Sequence, residues 1–364
     1  MTWQEELNSN LRTAEDLLAY IPLSQKEKEH LEDILKQFPL SVTPYYLSLI
    51  DFKDPHDPIR KMAIPSVAET DISGSFDTSG EAKNTVVEGL QHKYAQTALI
   101  LSTSQCAMYC RHCFRKRLVG LSDDEIATHF DEMHDYIQAH KEINNALISG
   151  GDALLNSNAR LKKLLSVLVN IEHLDAIRIG TRTPVVFPSR ITTDKELQEM
   201  LGHFNTKKQL YVITQYNHPR ELTQQSLEAV RVIQQLGIPV KNQTVLLRGV
   251  NDTPQVLGEL LRKMVVYGIV PYYVFQCRPV TGVKSQFQVP LKEGIKIVEG
   301  AKALQSGLGK HFKYAMSHVI GKLEILGQVA EDEILLKLHE SPDPAKLGQL
   351  FTHKVTDDQA WFED

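Results

Sequence analysis

Short apolar runs alternate with amphipathic segments over the central part of the chain. The apolar runs occupy residues 97–104, 145–150, 175–180, 209–214, 242–247 and 270–276. Runs of this length that are apolar on both faces are typical of parallel strands covered by helices. The pattern therefore predicts six buried strands separated by helices.

The segments between these strands have the periodicity of helices. One apolar stripe consists of Leu161, Leu164, Leu165 and Leu168. Ser122 and Glu125 have the spacing of a capping box that opens another helix, and Gly237 is suited to end a third. Six successive strand–helix units predict an α/β fold, namely a partial (β/α)6 barrel related to the TIM barrel.

The flanking regions differ from this pattern. Residues 1–88 are expected to form an N-terminal helical extension and a polar linker, and residues 89–308 the partial barrel. Residues 309–364 are expected to form a short segment that closes the barrel mouth. Its apolar side chains, expected to pack in strands, are Leu323, Ile325, Ile334, Leu335 and Leu336.

Composition restricts the class of protein. The 364 residues are 42% hydrophobic and carry a net charge of −5, so neither a nucleic-acid partner nor a membrane partner is expected. No apolar run approaches the roughly 20 residues needed to cross a bilayer. Three of the four cysteines are clustered, which is not a disulfide framework, and a reducing cytoplasmic location is therefore expected.

The clustered cysteines Cys106, Cys110 and Cys113 directly follow the first strand. If this segment is helical, they form one stripe of buried thiols. A structural zinc site is a second interpretation, with His112 as the fourth ligand. A four-iron cluster is the third, and three ligands would leave one iron open to a small molecule.

Basic side chains crowd the same segment. They are Arg111, His112, Arg115, Lys116 and Arg117. Such neighbours are expected to lower the pKa of the thiols, which argues against buried neutral cysteines. We expect an anionic ligand to account for this local positive charge.

Other chemically distinctive residues follow the later strands. They include Ser149 to Asp152 after the second strand, Arg182 after the third, Asn217 to Pro219 after the fourth, Arg248 to Asp252 after the fifth, and Gln276 to Arg278 after the sixth. Because barrel sites form at the carboxyl-terminal ends of the strands, these loops are expected to surround one site with the cysteines.

The CxxxCxxC spacing resembles that of radical S-adenosylmethionine (SAM) enzymes. Several segments, in order along residues 40 to 300, further resemble the lysine 2,3-aminomutase family. They are 57–66, 106–113, 148–155, 178–186, 216–219, 237–252 and 270–277.

The resemblance implies a [4Fe–4S] cluster on Cys106, Cys110 and Cys113, and SAM bound at its open iron. It implies that His112 lies near the adenine, that Ser149, Gly150 and Gly151 meet the methionine end of SAM, and that Gln243 lies deep in the cavity. Asp152 and Arg182 are assigned to the same cofactor site. The resemblance further implies a small electron donor such as flavodoxin or ferredoxin, and a homo-oligomer.

The substrate expected from the resemblance is a small, amino-acid-like molecule. Arg115 matches the arginine that binds the substrate's α-carboxylate in the family, and Arg278 stands where lysine-acting members have an aspartate. Both are therefore assigned to the catalytic site, and Arg278 favours an acidic or neutral substrate. Two arginines in a dry cavity repel each other, so we expect an external anion between them.

Other positions depart from the family. Its members hold pyridoxal phosphate (PLP) on a lysine in a glycine-rich stretch that this chain lacks, and Lys93 and Thr97 occupy the positions of phosphate-binding arginines. We therefore predict that PLP is absent. The alternatives are a PLP-dependent aminomutase that uses Lys322 or Lys337, and a non-catalytic metal-binding protein.

Overall fold

A computed structural model describes residues 2–363, whose framework is one mixed sheet with its strands in chain order. The strands are β1 (Thr85–Val87), β2 (Leu90–Tyr94), β3 (Thr97–Thr103), β4 (Asn145–Gly150), β5 (Ala176–Gly180), β6 (Gln209–Thr214), β7 (Val240–Leu246), β8 (Val270–Gln276), β9 (Lys313–His318), β10 (Gly321–Ala330), β11 (Glu333–Glu340) and β12 (Leu350–Lys354). Strands β3 to β9 are parallel, and the remaining pairs are antiparallel. Because β1 and β12 are the outer strands, the barrel is not closed.

Helices precede the sheet and connect its parallel strands. The α-helices are α1 (Trp3–Asn8), α2 (Ala14–Leu17), α3 (Gln25–Gln37), α4 (Pro44–Leu47), α5 (Pro58–Ala63), α6 (Glu81–Asn84), α7 (Phe130–Ala139), α8 (Asn158–Val169), α9 (Thr183–Val186), α10 (Ser189–Thr192), α11 (Lys195–Lys207), α12 (Gln224–Gln235), α13 (Pro254–Val266), α14 (Lys284–Phe287) and α15 (Leu291–Ala303). Short 3₁₀ turns lie at Val67–Thr70, Ala153–Leu155, Pro219–Glu221, Gly307–Lys310 and Pro344–Lys346.

The central α/β prediction is confirmed. The six predicted strands correspond to β3 through β8, and the predicted leucine stripe is the buried face of α8. Gly237 follows α12 with φ +73°, a left-handed conformation that glycine adopts readily at the end of a helix.

A seventh parallel strand, β9, was not predicted. It follows α15 and pairs with β8, with Val274 opposite Tyr314. The segment Lys-Tyr-Ala-Met-Ser-His lacks the continuous apolar run by which the other six strands were identified. Burial of Tyr314, Ala315 and Met316 shows that its packing is nevertheless that of an interior strand.

The predicted helix start at Ser122 is wrong. Residues 121–129 form turns and irregular chain, and the helix begins at Phe130. Ser122 Oγ accepts a hydrogen bond from the Asp124 N–H at 3.0 Å, while Glu125 forms an ion pair with Arg117. The Glu125 carboxylate therefore pairs with the Arg117 guanidinium and does not cap a helix.

The C-terminal strands extend the sheet beyond β9. Leu323, Ile325, Ile334 and Leu336 are buried, as predicted, whereas Leu335 is partly exposed. Strand alternation explains the difference, because neighbouring side chains on a strand point to opposite faces.

The N-terminal helices share the hydrophobic core of the barrel. Ile59 and Met62 of α5 are fully buried in the same continuous cluster as Ile148 of β4 and Ile179 of β5. This packing brings the N-terminal chain against the loops that follow the strands. Within residues 2–363, no helix is both long and apolar enough to cross a membrane.

Candidate active site

A cavity of about 370 Å³ lies among the loops that follow the parallel strands. The residues assigned from the sequence to the cluster, SAM and substrate all line it: Cys106, Cys110, His112, Cys113, Arg115, Ser149, Gly150, Gly151, Asp152, Arg182, Gln243 and Arg278. The fold therefore brings these residues together, as expected for a barrel whose strand ends meet at one rim. Residues 217–219 and 248–252, whose loops were also expected around the site, do not line the cavity.

The cysteines lie on the cysteine loop, which we define as residues 104–120. This loop is a series of turns without α-helix, so the interpretation of the three cysteines as one helical stripe is wrong. The loop is closed where the Gly120 N–H donates to the Ser104 carbonyl at 3.0 Å. Cys106, Cys110 and Cys113 are free thiols of intermediate exposure.

The N-terminal chain holds the cysteine loop through its backbone. The Tyr109 N–H donates to the Ser41 carbonyl and the Arg111 N–H to the Met62 carbonyl, both at 2.9 Å. Asn10 Nδ2 donates to the Ala107 carbonyl at 2.7 Å. The loop therefore owes its shape to a part of the chain to which sequence analysis assigned no function.

Two cations of the cysteine loop point away from the cavity to a buried carboxylate. Arg111 Nε donates to Glu69 Oε1 at 2.8 Å, and Lys116 forms an ion pair with Glu69 Oε2. Arg117 pairs with Glu81 and Glu125. Carboxylates of the chain itself thus neutralise most of this positive charge, in place of the anionic ligand that the sequence predicted.

For Cys106 and Cys113, the prediction of lowered thiol pKa values is also wrong. Burial raises the pKa of Cys106 well above its usual value, and burial together with Cys110 raises the pKa of Cys113 to about 11. The cause is desolvation of the thiolates, which exceeds the effect of the nearby cations. In the described part of the chain, no three His, Cys, Asp or Glu side chains converge on one point as ligands of a single ion would.

Gly150 and Gly151 pack directly on the backbone around the cysteine loop. The Gly151 N–H donates to the Thr103 carbonyl at 2.6 Å, and the Asp152 N–H donates to the Gln105 carbonyl at 2.8 Å. A Cβ atom would lie 2.4 Å from the Thr103 oxygen at Gly150, and 2.4 Å from the Gln105 oxygen at Gly151. The glycines therefore allow two loops of the cavity wall to touch.

Asp152 connects the second and third loops. Its buried carboxylate accepts hydrogen bonds from Thr181 Oγ1 at 2.5 Å and from the Arg182 N–H at 2.7 Å. Burial raises the pKa of Asp152, and these hydrogen bonds act in the opposite direction. The contacts indicate that Asp152 orients the neighbouring loop.

His112 is a buried neutral imidazole in the cavity wall. Its Nε2 lies 3.1 Å from Asn217 Nδ2, and its ring meets the Phe287 ring edge-on at a centroid distance of 5.9 Å. Burial lowers the pKa of His112 well below its usual value. Nδ1 is buried without a partner in the protein, so this atom is available to a bound molecule.

Arg115 pairs with Glu81, a carboxylate that sequence analysis missed, while Arg278 Nη1 donates to Ser79 Oγ at 2.9 Å. Arg115 Nε donates to Glu81 Oε1 at 3.0 Å, and its Nη1 donates to Ser149 Oγ at 3.1 Å. The charges of both arginines oppose the effect of burial and lower the pKa of Glu81. The two guanidinium groups lie over the Phe114 ring, at 4.6 Å for Arg115 and 4.2 Å for Arg278. Glu81 thus supplies part of the negative charge that we expected beside the two arginines.

Further charged residues complete the same end of the cavity. They are Lys93, Arg178, Lys322 and Glu340. Lys322 Nζ pairs with Glu340 Oε2 at 2.8 Å and lies 4.7 Å from the centre of the Tyr273 ring. The alternating pattern of β10 and β11 could have indicated which face these side chains share, but not that this face borders the cavity.

Comparison with known proteins identifies the family. Residues 100–260 match the Radical SAM superfamily. The chain is 40% identical over 360 residues to a protein of Aquifex aeolicus described as "Putative L-lysine 2,3-aminomutase", covering 98% of this chain and 96% of that protein.

A second relative is L-lysine 2,3-aminomutase of Clostridium subterminale, which is 41% identical over 84% of this chain and 73% of the relative. A third is glutamate 2,3-aminomutase of Clostridioides difficile, which is 37% identical over 84% of this chain and 71% of the relative. With this similarity along most of its length, the chain belongs to the lysine 2,3-aminomutase family of radical SAM enzymes.

Proposed function

We propose that this enzyme holds a [4Fe–4S] cluster on Cys106, Cys110 and Cys113, binds SAM beside it, and acts on a carboxylate-bearing, amino-acid-like substrate. The observation that carries the proposal is that every residue assigned to the cluster, SAM and substrate lines the same cavity. When bound, the cluster and SAM supply a 5'-deoxyadenosyl radical. An electron donor of the flavodoxin or ferredoxin class and a homo-oligomeric state belong to the same proposal.

The side chains at the cysteine end fit these groups. Desolvation in the cavity wall raises the pKa values of Cys106 and Cys113, so their thiolates require positive charge, which bound iron would provide. Three cysteines suit a four-iron cluster with one thiolate per iron and one iron left open, whereas a structural zinc ion needs a fourth protein ligand. The unpartnered Nδ1 of His112 provides a polar contact for SAM.

The charges at the other end favour an anionic substrate. Five cations and two carboxylates line it, an excess of three positive charges: Lys93, Arg115, Arg178, Arg278 and Lys322 against Glu81 and Glu340. In this surrounding, a substrate side chain with a carboxylate is attracted and an ammonium is repelled. Among the relatives, glutamate 2,3-aminomutase is named for an acidic substrate.

We further propose that the reaction proceeds without PLP. Lys322 Nζ is engaged by Glu340, and Thr97, at the position of a phosphate-binding arginine, carries no charge. One observation favours the alternative of a PLP-dependent aminomutase: Lys322 lines the cavity, and burial lowers its pKa, which suits an amine that attacks a carbonyl. Lys337 does not line the cavity.

The cluster assignment is tested with anaerobically purified Cys110→Ala and Cys277→Ala. We expect Cys110→Ala to lose most of its iron and its production of methionine and 5'-deoxyadenosine from SAM. Cys277→Ala, a matched loss of a cavity thiol, should keep both. Full SAM cleavage by Cys110→Ala, or a colourless wild-type protein with one zinc per chain, contradicts the proposal.

PLP is tested by borohydride reduction of the protein after incubation with PLP, followed by peptide mass spectrometry. We expect no stoichiometric pyridoxyl group on the chain. A pyridoxyl group on Lys322 at near-full occupancy, absent from Lys322→Met, would replace this proposal with the aminomutase alternative.

A further inference from the structure

Arg182 is held on several sides so that one terminal nitrogen faces Cys110. Its Nε donates to the Gln215 carbonyl at 3.0 Å, and its Nη2 forms a buried ion pair with Glu221. Its backbone N–H donates to Asp152 Oδ2 at 2.7 Å. Nη1 then lies 2.7 Å from Cys110 Sγ.

Glu221 is itself fixed. It is fully buried, and its Oε1 accepts a hydrogen bond from the Tyr46 hydroxyl at 2.6 Å. Its Oε2 accepts from the backbone N–H groups of Asn217 at 2.6 Å and His218 at 2.9 Å. Because these donors occupy the carboxylate, the position of the Arg182 guanidinium is determined by groups outside the cysteine loop.

The contact distinguishes Cys110 from a neighbouring cysteine. Cys113 Sγ accepts a neutral backbone N–H from Arg115 at 3.3 Å, whereas Cys110 faces a full positive charge. Arginine does not lose its charge in proteins, and Glu221 pairs with the same guanidinium from the other side. The guanidinium therefore stays charged beside this sulfur.

We propose that Arg182 is a positioning residue that raises the reduction potential of the cluster by donating Nη1–H to the Cys110 sulfur. The inference rests on the proposed function, since it requires a cluster on the three cysteines. Hydrogen bonds to cluster sulfurs and nearby charge both set the potential of such clusters. One electron from the donor adds one negative charge to the cluster, which the guanidinium stabilises.

The test is a mediated redox titration of the full-length anaerobic protein, monitored by the paramagnetic resonance signal of the reduced cluster, after iron and sulfide have been measured. We expect Arg182→Gln to shift the one-electron reduction equilibrium at least tenfold towards the oxidised cluster, about 59 mV. Glu221→Gln, which keeps Arg182 but removes the opposing charge, should shift the potential upward.

Arg190→Gln is the matched control. Arg190 is another buried arginine, paired with Asp194, and it does not line the cavity. It should lower thermal stability without moving the potential. If Arg182→Gln binds a full complement of iron and sulfide and its cluster has the wild-type reduction potential, the inference is wrong.

If Arg182→Gln fails to fold or to bind iron, Arg182→Lys decides, because it keeps a positive charge but loses the guanidinium Nη1–H that faces Cys110. A downward shift of the potential supports the inference, and an unchanged potential overturns it. If the wild-type protein binds no cluster, the proposed function itself is wrong. This result differs from a wild-type cluster whose potential does not depend on Arg182, which would overturn the further inference alone.

Discussion

Gly150 is a residue for which the backbone leaves no space for a side chain. Its φ of +107° lies outside the range that L side chains normally adopt, and a Cβ would lie 2.4 Å from the Thr103 carbonyl oxygen. Both constraints arise because β4 ends against β3, directly beside the cysteine loop. A side chain here must shift the wall that the proposed cofactor site shares with the cysteines.

We expect Gly150→Ala to lower the free energy of unfolding by about 1–3 kcal/mol and to suppress SAM cleavage. The change adds backbone strain and moves the loop that carries Ser149 and Gly151. Gly307→Ala is the control, because no atom lies within 4 Å of the Cβ position there. Chemical denaturation and product analysis measure the two effects. An unchanged stability of Gly150→Ala would contradict the observed close approach.

At the scale of one element, the stability of the cysteine loop depends on ion pairs with Glu69 in the 3₁₀ turn Val67–Thr70. Glu69, with no exposed side-chain surface, pairs with Arg111 and Lys116 of the loop. Arg111 also donates to the Pro39 carbonyl at 2.9 Å. Removal of one member of such a buried group leaves the others without a counter-charge.

Glu69→Gln is therefore expected to lower the free energy of unfolding by about 3–5 kcal/mol. The loss arises because two buried cations keep their charge while the carboxylate becomes a neutral amide. Glu228→Gln removes a carboxylate from a surface pair with Arg231 and should change stability by less than about 1 kcal/mol. Equal effects of the two substitutions in urea denaturation would argue against a structural role for the buried group.

The carboxylates that pair with the cysteine loop are expected to make the stability of the protein sensitive to acid. Burial alone would raise the pKa values of Glu69 and Glu81, but their cationic neighbours outweigh burial and hold both below 4.5. A carboxyl group whose pKa is lower in the folded state contributes stability above its unfolded pKa, and this contribution is lost as the pH falls below that value.

We expect the free energy of unfolding to decrease as the pH is lowered from about 6 towards 3.5. The decrease should be smaller in Glu69→Gln, which has no carboxyl group to protonate at that position. Urea denaturation at a series of pH values measures both slopes. Parallel slopes in the two proteins would assign the acid sensitivity to other groups.

At the scale of the whole molecule, side chains connect the two ends of the open barrel. Lys93 Nζ on β2 donates to the His318 carbonyl at the end of β9 at 2.6 Å and to the Ser79 carbonyl at 2.9 Å. Lys322 of β10 lies 5.7 Å from the centre of the Tyr94 ring. The gap between the early and late strands is therefore bridged at the end of the cavity that Arg115 and Arg278 line.

Lys93→Met keeps most of the unbranched side chain and removes both hydrogen bonds. We expect it to lower the free energy of unfolding by about 1–3 kcal/mol, because two carbonyl groups lose a charged donor. Hydrogen exchange should accelerate in residues 313–322 while the α8 amides remain protected. Lys83→Met, at an exposed position on α6, should change stability by less than about 0.5 kcal/mol. Unchanged exchange in 313–322 would show that the bridge is dispensable.

The sequence contained the main elements of the fold but few of the charge partners. Glu69 lies 42 residues before Arg111, and Cys110 lies 72 residues before Arg182. No local pattern relates such positions, so the sequence does not indicate that Arg111, Lys116 and Arg117 pair with distant carboxylates and leave only Arg115 and His112 of this group in the cavity wall. Strand β9 was missed for a related reason, since its burial depends on packing and not on a continuous apolar run.

The sequence by itself determined the six central strands, the cysteine spacing and the loops that carry the candidate site, because strand patterning is local and parallel strand ends meet at one rim. Tertiary structure decided which carboxylate neutralises which cation, how the N-terminal chain supports the cysteine loop, and which lysine faces the cavity. These features depend on which distant groups are buried together, and burial is what makes an unpaired charge costly.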